Sequence, residues 1–404
     1  MKLRETPYPT REVNKYNFEP AMSFAERIDV DQIEDERVRA IIEMERSVPV
    51  KVGIDNSIRP KIIDACGMTC TFCHNEGTPV AGAVDRATLL PLPTYGGGRV
   101  SVFQETNGVD FVPGQMQADE TFRDSLIAMR ESLGVSELHL TGGEPTLHRD
   151  LPALVAVARE AGYSVKMTSN GENGARHIAA CAEAGLEKIN FSIFGTTPEE
   201  LAAVQHEKYA NIKRAEVKLR ALHSSIEKAL ENGIGVDANI VMSSYEHAER
   251  VARIIDRYGD RVSVRVLVDL DAGDESYLAI YKLLADLEAK PVEYYVEAGS
   301  SNARIKFELP DGMIIHFKQI RRTTLPETCS SCSLNNDQDC AEGYYGMRMY
   351  VDDSGQYKVG VCLQRMDLTA DIGDFLSGEV CDEIKWHRDQ EYQHLVKQYA
   401  DRKS

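Results

Sequence analysis

Short β-rich runs alternate with helical ones along residues 58–270, and nearly every run carries polar residues at alternate positions. The runs are 60–65, 137–141, 164–169, 188–194, 236–242 and 262–269, separated by helical patterns at 119–134, 150–162, 174–184, 197–232 and 245–258. Such alternation predicts a parallel sheet with crossover helices. Parallel strands covered on both faces normally read as apolar throughout. Here one row (Leu138, Leu140, Val165, Met167, Ile189, Phe191) is apolar. The other reads His139, Thr141, Lys166, Thr168, Asn170, Asn190, Ser192, Asp237, Asn239, Ser263 and Arg265. If the apolar row packs on helices, the polar row lines the inside of a curved sheet. A closed eight-stranded barrel is filled by Val, Ile and Leu. A polar lumen on six strands therefore predicts an open, partial (β/α)6 TIM barrel that accommodates a ligand. Taken singly, several of these residues fit solvent-facing strand ends equally well.

The pattern divides the chain into an N-terminal extension (1–57), the barrel (58–275) and a C-terminal unit (276–404). That last unit opens with a helix at 276–289. Two hairpins follow, 304–309 with 313–318 and 347–352 with 357–362, turning at Pro310-Asp311-Gly312 and Asp353-Ser354-Gly355. They predict a small antiparallel module closed by a charged helix. A Gly- and Pro-rich insertion at 78–118 reads either as a functional lid or as a neutral surface loop.

A formal charge of -18 argues against a nucleic-acid polymer as partner, because that contact depends on clustered Lys and Arg. The N-terminal stretch has no apolar h-region and no run approaches a membrane span, so a cytoplasmic protein without a membrane partner is expected. In a reducing compartment the odd count of 9 cysteines, largely clustered, points to metal ligation rather than disulfides.

The first cluster is Cys66-Gly-Met-Thr-Cys70-Thr-Phe-Cys73-His-Asn-Glu-Gly77, directly after a strand. Three thiolates on one loop can hold three irons of a cubane and leave the fourth open to a small molecule. Zinc prefers four ligands in paired spacings, and the bacterial ferredoxin run is spaced differently. The CxxxCxxC spacing, Phe72 before the third cysteine, and Gly142-Gly143-Glu144-Pro145 after the second strand together resemble the radical S-adenosylmethionine (SAM) superfamily. Within it, residues 58–270 are most similar to the GTP cyclases of molybdenum-cofactor synthesis.

The resemblance implies a 4Fe-4S cluster on Cys66, Cys70 and Cys73 whose open iron is chelated by S-adenosylmethionine. Reductive cleavage then gives a 5'-deoxyadenosyl radical that takes hydrogen from substrate. It also implies that Gly142, Gly143, Glu144 and Pro145 hold the methionine amine and that Phe72 contacts adenine. Thr168, Asn170 and Ser192 would face the ribose and carboxylate. A flavodoxin or ferredoxin is the implied reductant.

Cys329-Ser-Ser-Cys332, Cys340 and Cys362 resemble the auxiliary 4Fe-4S module of the same cyclases. The interval before the last cysteine is longer here and contains Cys340, and Cys381 is the alternative fourth ligand. A zinc ribbon also suits the spacing, whereas Cys181 reads as a core residue. Glu342, Tyr344, Tyr345 and Arg348 are expected near the barrel mouth, with Arg348 as an anion clamp and Tyr344 as a hydrogen relay. Only one arginine of the cyclases' Arg-x-Arg pair is kept, which weakens an assignment to GTP. His74 and Glu76 fit either substrate contact or solvent, and His316 and Lys318 read as surface residues. The expected function is radical chemistry on a small polar metabolite, nucleotide-like or sugar-like, in cofactor or natural-product biosynthesis. The alternatives are a peptide-modifying relative and a non-catalytic iron-sulfur or zinc protein.

Overall fold

The computed structural model describes residues 21–70, 112, 114–207, 209–337, 339–363 and 365–402. Of the insertion, only 112 and 114–118 fall within this set. The strands are β1 Val50–Ile54, β2 Ser57–Pro60, β3 Glu137–Leu140, β4 Ser164–Ser169, β5 Leu186–Ile193, β6 Gly235–Met242 and β7 Ser263–Val268. They continue as β8 Lys290–Ala298, β9 Asn302–Glu308, β10 Ile314–Ile320, β11 Met347–Val351, β12 Tyr357–Gly360 and β13 Ala370–Asp371. All share one sheet in the order β1-β8-β9-β10-β7-β6-β5-β4-β3-β2-β11-β12-β13.

Neighbours from β2 to β7 are parallel, as the alternation predicts. Two short helices, α1 Phe24–Arg27 and α2 Glu36–Glu45, precede the sheet. The crossovers are α3 Glu120–Leu133, α4 Leu151–Glu160, α5 Ile178–Glu183, the pair α6 Pro198–Ala203 and α7 Ile212–Glu231, and α8 Ala248–Tyr258. Helix α9, Asp274–Asp286, follows β7, and α10 Ile372–Ser377 and α11 Glu379–Gln398 end the chain. The apolar strand row is buried, with Leu138, Met167, Ile189, Phe191 and Ile240 fully inaccessible. No helix among the described residues is long and apolar enough to cross a membrane.

The sheet curls on itself. β1 and β2 stand at positions one and ten of the row but are separated along the chain only by Asp55 and Asn56. Those two residues bridge its ends: Asp55 donates its backbone N–H to the Ala298 carbonyl at the end of β8 (2.9 Å). The Asn56 carbonyl accepts from Ser136 (2.8 Å) and Glu137 (3.0 Å) at the start of β3. The polar row therefore faces an enclosed lumen, with Thr168, Asn190, Asp237 and Ser263 in register across β4 to β7.

Several elements differ from the sequence pattern. The first strand stops at Pro60, and residues 62–65 instead run beside Gly142–Glu144. The helical pattern of 197–232 breaks into α6 and α7, because the intervening turn docks on the cysteine loop through a bridge between Gln205 and Cys70. The two expected hairpins form, but as parts of the barrel sheet: β10 pairs parallel with β7, and β11 pairs parallel with β2. His316 and Lys318 consequently sit on the lumen face rather than the surface, His316 in register with Arg265 and Lys318 with Leu267.

Candidate active site

The cysteine loop springs from the end of β2, and two glycines let it lie where it does. The Gly143 and Glu144 N–H groups donate to the Ile63 (2.7 Å) and Ala65 (2.8 Å) carbonyls. A Cβ on Gly142 would stand 2.5 Å from the Ile63 carbonyl oxygen, and one on Gly143 would overlap the carbonyl oxygens of Asp64 and Ala65. Only glycine tolerates so close a backbone approach. Cys66 is half-buried and Cys70 buried. The Cys66 sulfur accepts from Met68 N and Asn170 Nδ2, both at 3.4 Å, and the Cys70 sulfur accepts from Gln205 Nε2 at 3.3 Å. Converging N–H donors suit sulfurs that are thiolates, the form that ligates iron. Cys73 and Phe72 lie outside the described residues, as do His74 and Glu76.

The loop has further anchors that sequence reasoning missed. Glu172, just past β4, accepts the Gly67 N–H at 2.6 Å and is itself ion-paired with Lys218 of α7. Gln205 accepts the Thr69 N–H at 2.8 Å. Glu172 is 105 residues from its partner and Gln205 is 136 from its own, so no local pattern announces either.

Glu144 is buried, and desolvation raises its pKa against the pull of its hydrogen bonds. Oε1 accepts from Thr146 N (2.9 Å), Thr146 Oγ1 (2.6 Å) and Ser169 Oγ (2.6 Å), and Oε2 accepts from Asn170 N (2.6 Å). Its oxygens thus bind the end of β4 and aim Asn170 at Cys66. Pro145 opens a short 3-10 turn behind it. Thr168 and Ser192 lie half-buried on the lumen face, opposite Asn190 and Asn239 respectively.

Cations dominate one sector of the lumen. The Arg59 guanidinium lies 4.1 Å from the Tyr345 ring centroid and Lys318 Nζ lies 4.7 Å from it, with Lys318 also donating to the phenol oxygen. Burial pushes the Tyr345 phenol up, but Arg59 and Lys318 outweigh it and leave its pKa below the ordinary value. Gly343 and Gly346, at φ 71° and 116°, flank the Tyr344-Tyr345 pair and admit the backbone that turns one tyrosine inward. Deeper in, Asp237 is ion-paired with Arg265 (2.9 Å) and accepts from Lys188 (3.2 Å). Burial lowers the pKa of both His139 and His316 to about 4, so both imidazoles are neutral at pH 7.

Tyr344 and Arg348 are buried. Tyr344 has Asp55 as an electrostatic neighbour, two residues before β2, at the opposite end of that strand from the cysteine loop. Arg348 pairs in register with Arg59. Among the C-terminal cysteines, burial first and then Cys362 and Cys340 push the Cys329 thiol up to about 12. Cys340 is raised by burial and by Cys332, and Arg365 bonds to Cys332. The four are therefore electrostatic neighbours, while Cys381 is fully buried on α11 beside Lys385. Among the described residues no three Cys, His, Asp or Glu side chains converge tightly enough to hold a single metal ion.

The model of the radical SAM superfamily matches residues 61–257, the span from the end of β2 through α8. Residues 61–257 form a radical SAM domain. It is similar to the probable GTP 3',8-cyclase of Metallosphaera sedula, 25% identical over 329 residues, 80% of this chain and 85% of that one. It is also similar to the GTP 3',8-cyclase of Staphylococcus carnosus, 22% identical over 295 residues, 69% of this chain and 76% of that one. Among solved structures, Streptococcus suis SuiB aligns with a TM-score of 0.46 at 13% identity, over 89% of this chain and 71% of that one.

A radical SAM enzyme uses a 4Fe-4S cluster and S-adenosylmethionine. The two described thiols, with the N–H donors around them, fit that cluster. When bound, the pair supplies a carbon-centred radical that removes hydrogen from substrate. This radical SAM chain's own residues bind, orient and shield: Gly142 and Gly143 set the loop, Glu172 and Gln205 pin it, and the curled sheet encloses the space below.

Proposed function

We propose that this radical SAM enzyme acts on a small anionic metabolite, nucleotide-like or sugar-phosphate-like, held in the lumen. The carrying observation is the Arg59–Tyr345–Lys318 stack: two cations meet across the lumen on a tyrosine. In a chain of net charge -18, such cations inside an enclosed lumen favour a ligand bearing phosphate or carboxylate. Arg348, in register with Arg59, extends the same sector. The names of the curated relatives support a nucleoside triphosphate as the first substrate to try.

In this reading Cys66, Cys70 and Cys73 hold the first cluster, and the backbone carbonyls of Gly142 to Pro145 serve the amine of S-adenosylmethionine, the Gly143 and Glu144 N–H groups being committed to the cysteine loop. Phe72 serves the adenine, and Thr168, Asn170 and Ser192 serve the ribose and carboxylate. Cys329, Cys332, Cys340 and Cys362 hold an auxiliary 4Fe-4S cluster. A flavodoxin or ferredoxin supplies the electron.

The test is an anaerobic assay of 5'-deoxyadenosine formation by the reconstituted, dithionite-reduced enzyme against nucleoside triphosphates, sugar phosphates and their uncharged parents. Stimulation of cleavage by the phosphorylated members, lost in Arg59→Gln, is the expected result. Equal stimulation by the uncharged parents would sink the anionic assignment.

A further inference from the structure

We propose that Gln205 is a positioning residue that tunes the reduction potential of the first cluster by donating a hydrogen bond to the Cys70 sulfur. This inference rests on the cysteine loop holding that cluster. Gln205 lies in the turn between α6 and α7 and forms an isolated antiparallel bridge with Cys70. Its Oε1 accepts the Thr69 N–H at 2.8 Å, and the neighbouring His206 N–H donates to the Thr69 carbonyl at 2.8 Å.

The Thr69 contact decides which way the amide points. A backbone N–H demands an acceptor, so the oxygen faces Thr69 and the NH2 group faces the sulfur, where Nε2 stands 3.3 Å from Cys70 Sγ. Cys70 is buried, 5% exposed, so water competes poorly for that sulfur. A one-electron reduction of a cubane spreads negative charge onto its sulfurs. N–H donors to those sulfurs stabilise the reduced state and raise the potential. Asn170 does the corresponding service at Cys66, but its own backbone is committed to Glu144. Gln205 comes from a different crossover, the turn between α6 and α7. The two side chains therefore serve different sulfurs of the loop.

The experiment is a redox titration of the reconstituted full chain, followed by the reduced-cluster electron paramagnetic resonance signal that S-adenosylmethionine perturbs. Gln205→Leu removes both contacts, whereas Gln205→Glu keeps an acceptor for Thr69 and removes the donor to sulfur. Both variants should titrate at more negative potential, with the reduced fraction at a fixed potential falling about tenfold, equivalent to about 59 mV for one electron. A potential unchanged in Gln205→Glu at normal iron content would overturn the inference and leave Gln205 a loop anchor only. Should the variants fail to hold iron, the wild type still decides. With isotope-labelled glutamine amide nitrogen, a hyperfine coupling to the reduced cluster supports the contact and its absence overturns it. A wild type lacking any S-adenosylmethionine-sensitive signal would instead overturn the assignment of the cluster to this loop.

Discussion

Gly143 donates its backbone N–H to the Ile63 carbonyl at 2.7 Å, an approach so close that a Cβ on Gly143 would collide with the carbonyl oxygen of Asp64. The glycine pair therefore sets where the cysteine loop begins. Gly143→Ala should push residues 63–65 away while leaving the sheet intact. Iron bound at the first site and 5'-deoxyadenosine formation should both fall at least about tenfold, a loss of about 1.4 kcal/mol or more in each. Iron analysis with circular dichroism checks this, and wild-type iron with wild-type turnover would show that the approach is dispensable.

Tyr345 offers a ring to Arg59 and an oxygen to Lys318. Tyr345→Phe keeps the ring and loses the oxygen, and Tyr345→Ala loses both. Substrate KM should rise about threefold for Phe and more than about tenfold for Ala, on the scale of one and two lost polar or cation–π contacts. Substrate-independent cleavage should not change. A kcat effect without a KM effect in the Ala variant would move Tyr345 from holding substrate to the chemical step.

Two buried carboxyls make stability depend on pH. Desolvation raises Glu45 from 4.5 to about 7, against the hydrogen bonds of Tyr281 and Gln319, and raises Asp55 from 3.8 to about 7, helped by Glu297. The folded state thus keeps protons that the unfolded chain has already lost. Stability is greatest below the unfolded values and falls as pH rises through them toward 7, by at most about 3 kcal/mol for Glu45 and about 4 kcal/mol for Asp55. Denaturation midpoints should drop between about pH 4 and about pH 7. Glu45→Gln and Asp55→Asn should each flatten that profile, and an unaltered slope in both would mean these carboxyls titrate elsewhere.

With Cys66, Cys70 and Cys73 replaced by alanine, remaining iron reports the C-terminal cysteines alone. Alanine at Cys329, Cys332 or Cys362 should abolish it, and alanine at Cys340 should lose it or leave a labile cluster. Cys381→Ala should leave it unchanged, because Cys381 faces the core beside Lys385. Stoichiometric zinc in place of iron and sulfide would establish a ribbon instead.

The polar strand row was legible because alternation is local: Lys166, Thr168 and Asn190 show their face within a few residues of chain. The cysteine loop and the Gly-Gly-Glu-Pro turn were legible for the same reason. What escaped depends on distant pairing. His316 and Lys318 read as surface residues while their hairpin was imagined alone, and became lumen residues once β10 met β7. Glu172 and Gln205 are ordinary polar residues until the fold carries them to Gly67 and Thr69. β1 was hidden in the N-terminal extension because its partner, β8, comes more than two hundred residues later.

The pairing of Met347 with Ile58 also has a meaning for synthesis. On the ribosome β2 and the cysteine loop emerge well before β11, the strand that pairs with β2 on its outer side, and before β8, the partner of β1. Contacts so far apart in sequence form slowly. Until those strands arrive, the first cysteines of the nascent protein belong to an unclosed sheet.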